Sequence, residues 1–381
     1  MAELDLELAE GVREVPAAEW NALVGADSPF LEWEWLASLE EAGCVGPTTG
    51  WAPRPLLLRA GGRLVAACPL YLKGHSEGEF VFDWGWADAA ERAGIAYYPK
   101  LLVGVPFTPV SGARLLTAPG EDRGKRTRQL AAALAELCAG NDLSGAHVNF
   151  CRDDEHEALL AAGFLPRLGL QYHWRNAGYG GFDDWLGALR SKRRNQVRRE
   201  QRALDEQGVV IERQVGDAIP EALVGPMYEI YLTTIRGNPW GRQYLNERFF
   251  ELLAERFRSR LCFVVARAGG QVVGGTINVQ KGDALYGRYW GALRPLRHLH
   301  FNVCYYAGIA HCIEHGLERF EPGAGGEYKQ LRGFDATPTW SFHWLADERL
   351  REAVGRFLQR ERAEADSTID WYRAHTANRR G

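Results

Sequence analysis

An α+β protein built from two like modules is what this chain of 381 residues predicts, and two observations carry that reading. The first is an internal echo. Arg59-Ala60-Gly61-Gly62-Arg63-Leu64-Val65 is answered by Arg267-Ala268-Gly269-Gly270-Gln271-Val272-Val273, and Lys73-Gly74 by Lys281-Gly282, 208 residues apart in both cases. Trp84-Gly85 is then answered by Trp290-Gly291, at a slightly shorter offset. A spacing this long marks a duplicated domain rather than a solenoid repeat. The second observation is the pattern inside each copy. An apolar run, a Gly-Gly turn, a second apolar run and a third run ending in Trp-Gly predict a three-stranded meander. Its first turn needs the positive φ that glycine adopts cheaply.

In the first module a short strand is expected near residues 6–15, a helix from Pro16, and another over 30–42 with Trp33, Trp35, Leu36 and Leu39 as its apolar stripe. The meander should occupy 55–86. Residues 97–116 carry Pro99, Pro106 and Pro109, a density that removes ladder donors, so a structured loop over one end of the sheet is expected. A helix over 124–140, a strand over 146–151, a short acidic helix ending near Gly163 and strands to Trp174 complete the copy, with 176–181 as linker. The second module opens with a helix from Asp183-Asp184, an anionic start that suits the helix dipole, running to about Gln207. A strand (209–215), helices (221–236 and 246–258), the second meander (261–290), a helix (302–316), a strand (317–320), a Gly-rich loop (323–333) and an aromatic strand (340–345) follow. The resulting boundaries are 1–176 and 182–346, with 347–381 a C-terminal amphipathic helix.

A composition 46% hydrophobic and 25% charged is ordinary for a globular protein and leaves each module a sizeable core. No run of eighteen apolar residues occurs, so no membrane span is expected. The start Met1-Ala2-Glu3-Leu4-Asp5 has neither the basic nor the apolar stretch of a secretory signal. The seven cysteines (44, 68, 138, 151, 262, 304 and 312) form no C-x-x-C pair and mostly sit in apolar runs as small hydrophobes. A cytoplasmic compartment is expected. The net charge of -4 gives no global pull towards nucleic acid, so any basic site must be local. No cysteine sits in a setting that favours a thiolate, which argues against a cysteine nucleophile.

The order helices, three-strand meander, helix, fifth strand resembles the GNAT (acyl-CoA N-acyltransferase) fold, and two such modules joined by a basic helix resemble the FemAB-type peptidoglycan aminoacyltransferases. The motifs that carry the closer likeness are Leu299-His300-Phe301-Asn302-Val303-Cys304-Tyr305-Tyr306, Phe320-Glu321-Pro322-Gly323, Glu327-Tyr328-Lys329 and Arg332-Gly333-Phe334. In the first module they are Tyr98-Pro99-Lys100-Leu101 and Pro106-Phe107-Thr108-Pro109-Val110. They look like the FemAB-like family of peptidoglycan biosynthesis/recognition proteins, over nearly the whole chain. The resemblance implies tandem GNAT-like modules and an acyl transfer to an amine.

In a GNAT module the fourth strand splays from the fifth, and the donor pyrophosphate rests on the N–H groups that open the next helix. The matching loop is Arg294-Pro295-Leu296-Arg297-His298-Leu299-His300-Phe301-Asn302, which makes Trp290, Arg297, His298, Phe301 and Asn302 the donor-binding candidates. The glycines that usually follow the basic residue are missing, as they are in FemAB-type enzymes, so acyl-CoA and aminoacyl-tRNA both stand as donors. The plainer reading is a helix start capped by Asn302. In the first module Gly120-Glu121-Asp122-Arg123 occupies this place, and two acids repel a phosphate. That copy is expected to shape the acceptor cleft without doing chemistry.

Residues 190–199 are the densest positive charge, with Arg194, Arg198 and Arg202 on one helix face. A solvated face is the ordinary reading of such a run. The resemblance implies that Lys192, Arg194, Arg198 and Arg332 hold the phosphates of an anionic acceptor, small-molecule or cell-wall precursor. Transfer to an amine needs a base for its proton and donors for the oxyanion. Glu327 and His300 are the base candidates; Lys329 and the strand end at Tyr289 are candidates for charge stabilisation. No tightly bound cofactor is implied, with CoA entering only as co-substrate. His311-Cys312-Ile313-Glu314-His315 spells the H-x-x-E-H zinc motif, but it falls inside the acyltransferase match and no metal is expected. The rival to an enzyme is a recognition protein that keeps the fold to bind a cell-wall precursor or phosphorylated metabolite.

Overall fold

The computed structural model describes residues 4–237 and 241–378. In chain order the elements are β1 (Leu4–Leu8), α1 (Ala17–Val24), α2 (Trp33–Glu41), β2 (Trp51–Pro53), β3 (Leu56–Ala60), β4 (Arg63–Cys68), β5 (Leu70–Lys73), α3 (Trp84–Arg92), β6 (Lys100–Val103), β7 (Leu116–Thr117), α4 (Arg123–Gly140), β8 (Gly145–Cys151), α5 (His156–Ala161) and β9 (Leu165–Arg175). They continue as α6 (Phe182–Ala188), α7 (Ser191–Asp205), β10 (Val209–Val215), α8 (Val224–Arg236), α9 (Glu247–Arg256), β11 (Leu261–Ala268), β12 (Gln271–Lys281), β13 (Ala284–Ala292), α10 (Leu299–Phe301), α11 (Ala307–Glu314), β14 (Arg319–Glu321), β15 (Asp335–Leu345) and α12 (Glu348–Ala374). A π-helical turn, Asn302–Tyr306, joins α10 to α11. Among the described residues no helix is long and apolar enough to cross a membrane.

The chain forms two compact units, and neither is one stretch of sequence. Unit 1 is Met1–Gly169 with Pro338–Ser367, and unit 2 is Leu170–Thr337 with Thr368–Gly381. The expected boundaries at 176/182 and 346/347 therefore give way to an exchange through the middle of β9 and of β15. Trp174 and Arg175, at the end of β9, pair antiparallel with β14 in unit 2. From Trp340 onward β15 pairs with β8 in unit 1. Alternation along a strand tells which residues face a core, but not whose core it is.

In unit 1, β1, β3, β4 and β7 form one sheet, with β3 and β4 joined across Gly61 and Gly62 at φ 55° and 80°. Pro69 ends β4, and β5 leaves to pair with β2 and β6 in a second sheet completed by β8 and β15. This corrects two expectations. The first copy has no third strand ending in Trp-Gly, because Trp84 opens α3. The proline-rich stretch is not all loop either: β6 is a central strand, antiparallel to β5 and parallel to β8, with Pro99 just before it and Pro106 and Pro109 after it. Both sheets share a core that includes Leu58, Val65, Leu101, Leu130, Val148 and Phe342.

In unit 2 the strand order is β10-β11-β12-β13-β14, then the end of β9. Here the meander is intact, and β13 runs past Trp290-Gly291 as expected. β14 lies parallel to β13 for only three pairs, Ala284↔Arg319, Leu285↔Phe320 and Tyr286↔Glu321. Beyond them β13 continues while the chain leaves β14 at Pro322, so the two strands part. This fork is the splay that the GNAT resemblance implies. A bulge in β13 leaves Arg288 as the extra residue between Gly287↔Asn278 and Tyr289↔Ile277. Gly287 sits at the apex, where a Cβ would meet the Pro322 Cα at 3.1 Å, so a side chain there would have to push the Pro322 backbone back by a few tenths of an ångström.

Candidate transfer site in unit 2

Three segments furnish the fork: the α10–α11 run, the turn after β14, and the inner face of α7. The helix expected over 183–207 breaks at Leu189, which takes extended dihedrals (φ -76°, ψ 150°), so α7 is an independent element. It buries Val197, Glu200 and Leu204, the i, i+3, i+7 spacing of one helix face. A carboxylate on that face needs partners, and it has them. Arg332 donates to Glu200 through Nη2 (2.7 Å) and Nε (3.2 Å), Gln196 Nε2 donates at 3.0 Å, and the Tyr306 hydroxyl donates as well. Burial works against the charge of Glu200, but the hydrogen bonds from Tyr306, Gln196 and Arg332 outweigh it and hold the carboxyl below its ordinary range.

The π-helical turn explains how two residues four apart both reach this carboxylate's residue. Tyr306 meets its side chain, and Asn302 Nδ2 donates to its backbone carbonyl at 3.1 Å. Such wide turns are rare and frequently mark functional sites. Asn302 is therefore not the helix cap it was expected to be; α10 starts three residues earlier, after His298 at φ 63°. Nor is Arg332 a free cation for an acceptor. It is 2% exposed, and besides Glu200 it binds the Tyr306 oxygen (2.9 Å) and the Tyr328 carbonyl (3.0 Å), with its plane 3.4 Å over the Phe301 ring. It positions the turn that carries Lys329.

Lys329 is the chemically conspicuous group. It is 3% exposed and has no carboxylate partner among the described residues; its ammonium donates to the carbonyls of Gly323 and Ala324. Burial pulls its pKa down to about 8. His300 lies against Trp290 (ring centroids 4.3 Å) and Tyr305 (5.2 Å). Burial, followed by the charges of Arg332 and Lys329, lowers its pKa to about 4, so the ring is neutral near pH 7. Glu327, on the same turn as Lys329, is exposed.

The remaining expected residues divide. Trp290 and Phe301 belong to this aromatic wall. Tyr289 does not: on a strand its side chain takes the opposite face from Trp290, and it packs on Tyr231 (5.1 Å) and Phe250 (6.2 Å) of α8 and α9. Arg297 is exposed, but its backbone N–H already donates to Gln207 Oε1 (3.0 Å), and Gln207 Nε2 returns a bond to its carbonyl (3.1 Å). His298 stacks towards Phe301 at 6.2 Å. On α7, Lys192 and Arg198 are exposed and Arg194 is half-buried, with only a 3.4 Å contact to Ser191 Oγ and a 3.9 Å approach of Arg198 to Asp183.

Three side chains were not singled out by sequence reasoning. Glu200 had a signal: it is the only acid between Arg190 and Leu204, three residues after Val197. His173 and Glu321 had none. Both are 5% exposed, their Nε2 and Oε2 lie 3.7 Å apart at the fork, and the contact needs β9 beside β14. In unit 1, at the matching helix start, Asp122 accepts the Lys125 N–H (2.9 Å) and Glu121 joins Arg126 and Arg63. His311 Nε2 meets Gln280 Oε1 at 2.7 Å, and among the described residues no group of three His, Cys, Asp or Glu is placed to hold a metal.

Neutral burial of His300 predicts acid sensitivity. Its folded pKa of about 4 lies below the ordinary 6.5, so the unfolded chain binds more protons in that window and stability falls as pH drops from 6.5 towards 4. A His300→Gln variant should lose less melting temperature over this range; parallel curves would mean that the ring is solvated.

A model of the FemAB_like family, described as peptidoglycan biosynthesis/recognition, matches residues 11–380. The crystal structure of FemX is similar at 12% identity, over 84% of this chain and 93% of that one, with a TM-score of 0.51. L-PGS from Bacillus licheniformis is similar at 8% identity over 86% and 96%, with a TM-score of 0.52. At such identities the likeness is one of fold. No curated protein matches the sequence significantly.

Proposed function

The chain belongs to the FemAB_like family of peptidoglycan biosynthesis/recognition, and from that premise we propose that it is an N-acyltransferase. It moves an acyl group from an acyl-thioester, acyl-CoA being favoured, or from an aminoacyl-tRNA ester, to an amine of an anionic, cell-wall-related acceptor. The observation that carries the reading is Lys329, a buried ammonium with no carboxylate partner among the described residues, on the turn that leaves the fork.

The acceptor amine attacks the donor carbonyl, and a tetrahedral oxyanion forms. Lys329, still largely protonated at neutral pH, supplies the charge that this oxyanion needs and the planar carbonyl needs less. The amine loses one proton, which neutral His300 or exposed Glu327 accepts. Collapse breaks the bond to the carrier, and the proton passes to the leaving thiolate or ribose oxygen. Arg194 and Arg198, which share one face of α7, hold the acceptor's phosphates. No tightly bound cofactor enters the proposal.

A ligand that binds this site at ~100 times its Kd raises stability by about 2.7 kcal/mol, so CoA or acyl-CoA should shift the melting curve. Lys329→Met should then lower kcat by roughly 100-fold with CoA binding kept, the usual scale for one oxyanion donor. Arg194→Ala should raise the acceptor KM about 10-fold, with Arg199→Ala as an inert control. A shift with an amine-bearing, diphosphate-linked muropeptide and none with CoA or aminoacyl-tRNA would instead favour the recognition reading, which the engaged N–H of Arg297 supports.

A further inference from the structure

Unit 1 contains a second constellation, apart from the fork. Lys73 on β5 and Lys100 on β6 are fully buried, beside Glu79 and Asp83, which are 5% and 2% exposed. Lys100 Nζ donates to Ser76 Oγ (2.9 Å), Glu79 Oε2 (3.0 Å) and Asp83 Oδ2. Lys73 lies 3.8 Å from Glu79 Oε1 and 3.6 Å over the Trp51 ring. The Tyr97 hydroxyl donates to Asp83 Oδ2 at 2.7 Å, and the Tyr98 hydroxyl shares a 2.8 Å hydrogen bond with Ser76. Two adjacent tyrosines are thus anchored by their hydroxyls to a desolvated charge network, which fixes where their rings lie.

Those rings form one wall of a cavity of about 470 Å³. The same cavity is lined by one face of α3, where Trp84, Asp88 and Glu91 recur at i, i+4 and i+7 beside Ala87, and by Ile95. The other face of α3 is fixed, because Trp86 and Ala90 pack with Leu350, Val354 and Leu358 in a separate apolar cluster. Aromatic walls, two carboxylates and no cationic side chain line the space. The charge of Lys100, behind the tyrosines, is met by Glu79 and Asp83, and Asp83 keeps Oδ1 buried without a hydrogen-bond partner.

We infer that this cavity binds an organic ammonium ion, an aliphatic amine with its charge among the Trp84 and tyrosine rings and the carboxylates of Asp88 and Glu91. Aromatic faces attract cations and are most effective when preorganised, which the hydroxyl anchors provide. An anion would be repelled by both carboxylates, and a neutral apolar ligand would gain nothing from them. The volume is that of a small-molecule site. The inference uses only unit 1 geometry, so it stands or falls separately from the transfer reading.

The test is calorimetric titration with n-pentylammonium chloride, alongside 1-pentanol as its neutral counterpart and pentanoate as its anionic one. Saturable 1:1 binding of the ammonium is expected, with a Kd on the order of 1 mM, and neither control should bind comparably. Asp88→Asn, Glu91→Gln and Trp84→Leu alter exposed side chains, so the fold, checked by melting temperature, should persist. Each should weaken binding by roughly 2- to 5-fold, the scale of an exposed cation–π contact. Absence of saturable binding, equal binding of pentanol, or unchanged affinity in all three variants would overturn the assignment.

Discussion

Replacing Arg332 with alanine should destabilise unit 2 by about 3–5 kcal/mol, the cost of stranding one member of a buried ion pair. Glu200 would keep Tyr306 and Gln196 but lose both guanidinium bonds, at a site 2% exposed. A unit of this size loses roughly 2–4 °C per kcal/mol, so the melting point should fall by about 6–20 °C. Arg332→Lys should recover only part of this, since an ammonium cannot reproduce the two-pronged geometry or the stacking on Phe301. The double variant Glu200→Gln/Arg332→Met should be more stable than Arg332→Ala, because it leaves no buried charge behind. Arg198→Ala, on the exposed side of the same helix, should cost no more than ~1 kcal/mol. Similar losses at Arg332 and Arg198 would mean that the Glu200 pocket is open to water.

Lys100→Met should have a comparable effect in unit 1, again about 3–5 kcal/mol, and its pH dependence identifies the cause. In the wild type, burial opposes ionisation of Asp83, but the charge of Lys100 prevails and holds the carboxyl near pKa 2, below the ordinary 3.8. That contribution is present above pH 3.8 and is lost as pH falls towards 2. Without Lys100 the burial effect is opposed mainly by hydrogen bonds from the Tyr97 and Ser76 hydroxyls, and the balance moves towards the protonated acid. Asp83 then prefers its proton, and the variant should regain stability relative to wild type as the pH is lowered from 7 towards 4. A deficit that does not change with pH would place the loss in packing rather than in charge.

Much of the fold was legible because it rests on local rules. The Gly-Gly turns at 61–62 and 269–270 take the positive φ that their position requires, and the periodic helices α4 and α9 fall within a residue or two of their expected limits. The errors arose where a short pattern had two physical outcomes. Trp84-Gly85 resembles Trp290-Gly291, yet Pro69 had already ended the preceding strand, and the segment coiled into a helix. Three prolines argued against a central strand, but four residues between them are enough to make one.

The candidate site divides the same way. Lys329, His300, Trp290 and Phe301 could be named from motif positions, and the structure places them around one fork. Tyr289 lies at the expected strand end, but its side chain faces Tyr231 and Phe250 rather than the fork, since neighbours on a strand face opposite ways. What the sequence by itself determined is the duplicated α+β module, its turns, the periodic helices and the chemistry available in each motif, because these depend on dihedral preferences and on side-chain type within a few residues. Only the tertiary structure decided that Arg332 serves Glu200 from 132 positions away, that His173 meets Glu321, and that two lysines share buried acids. Such pairs follow from which strands lie side by side. A buried charge is stable only where a partner has been brought to it, and no local pattern records that partner.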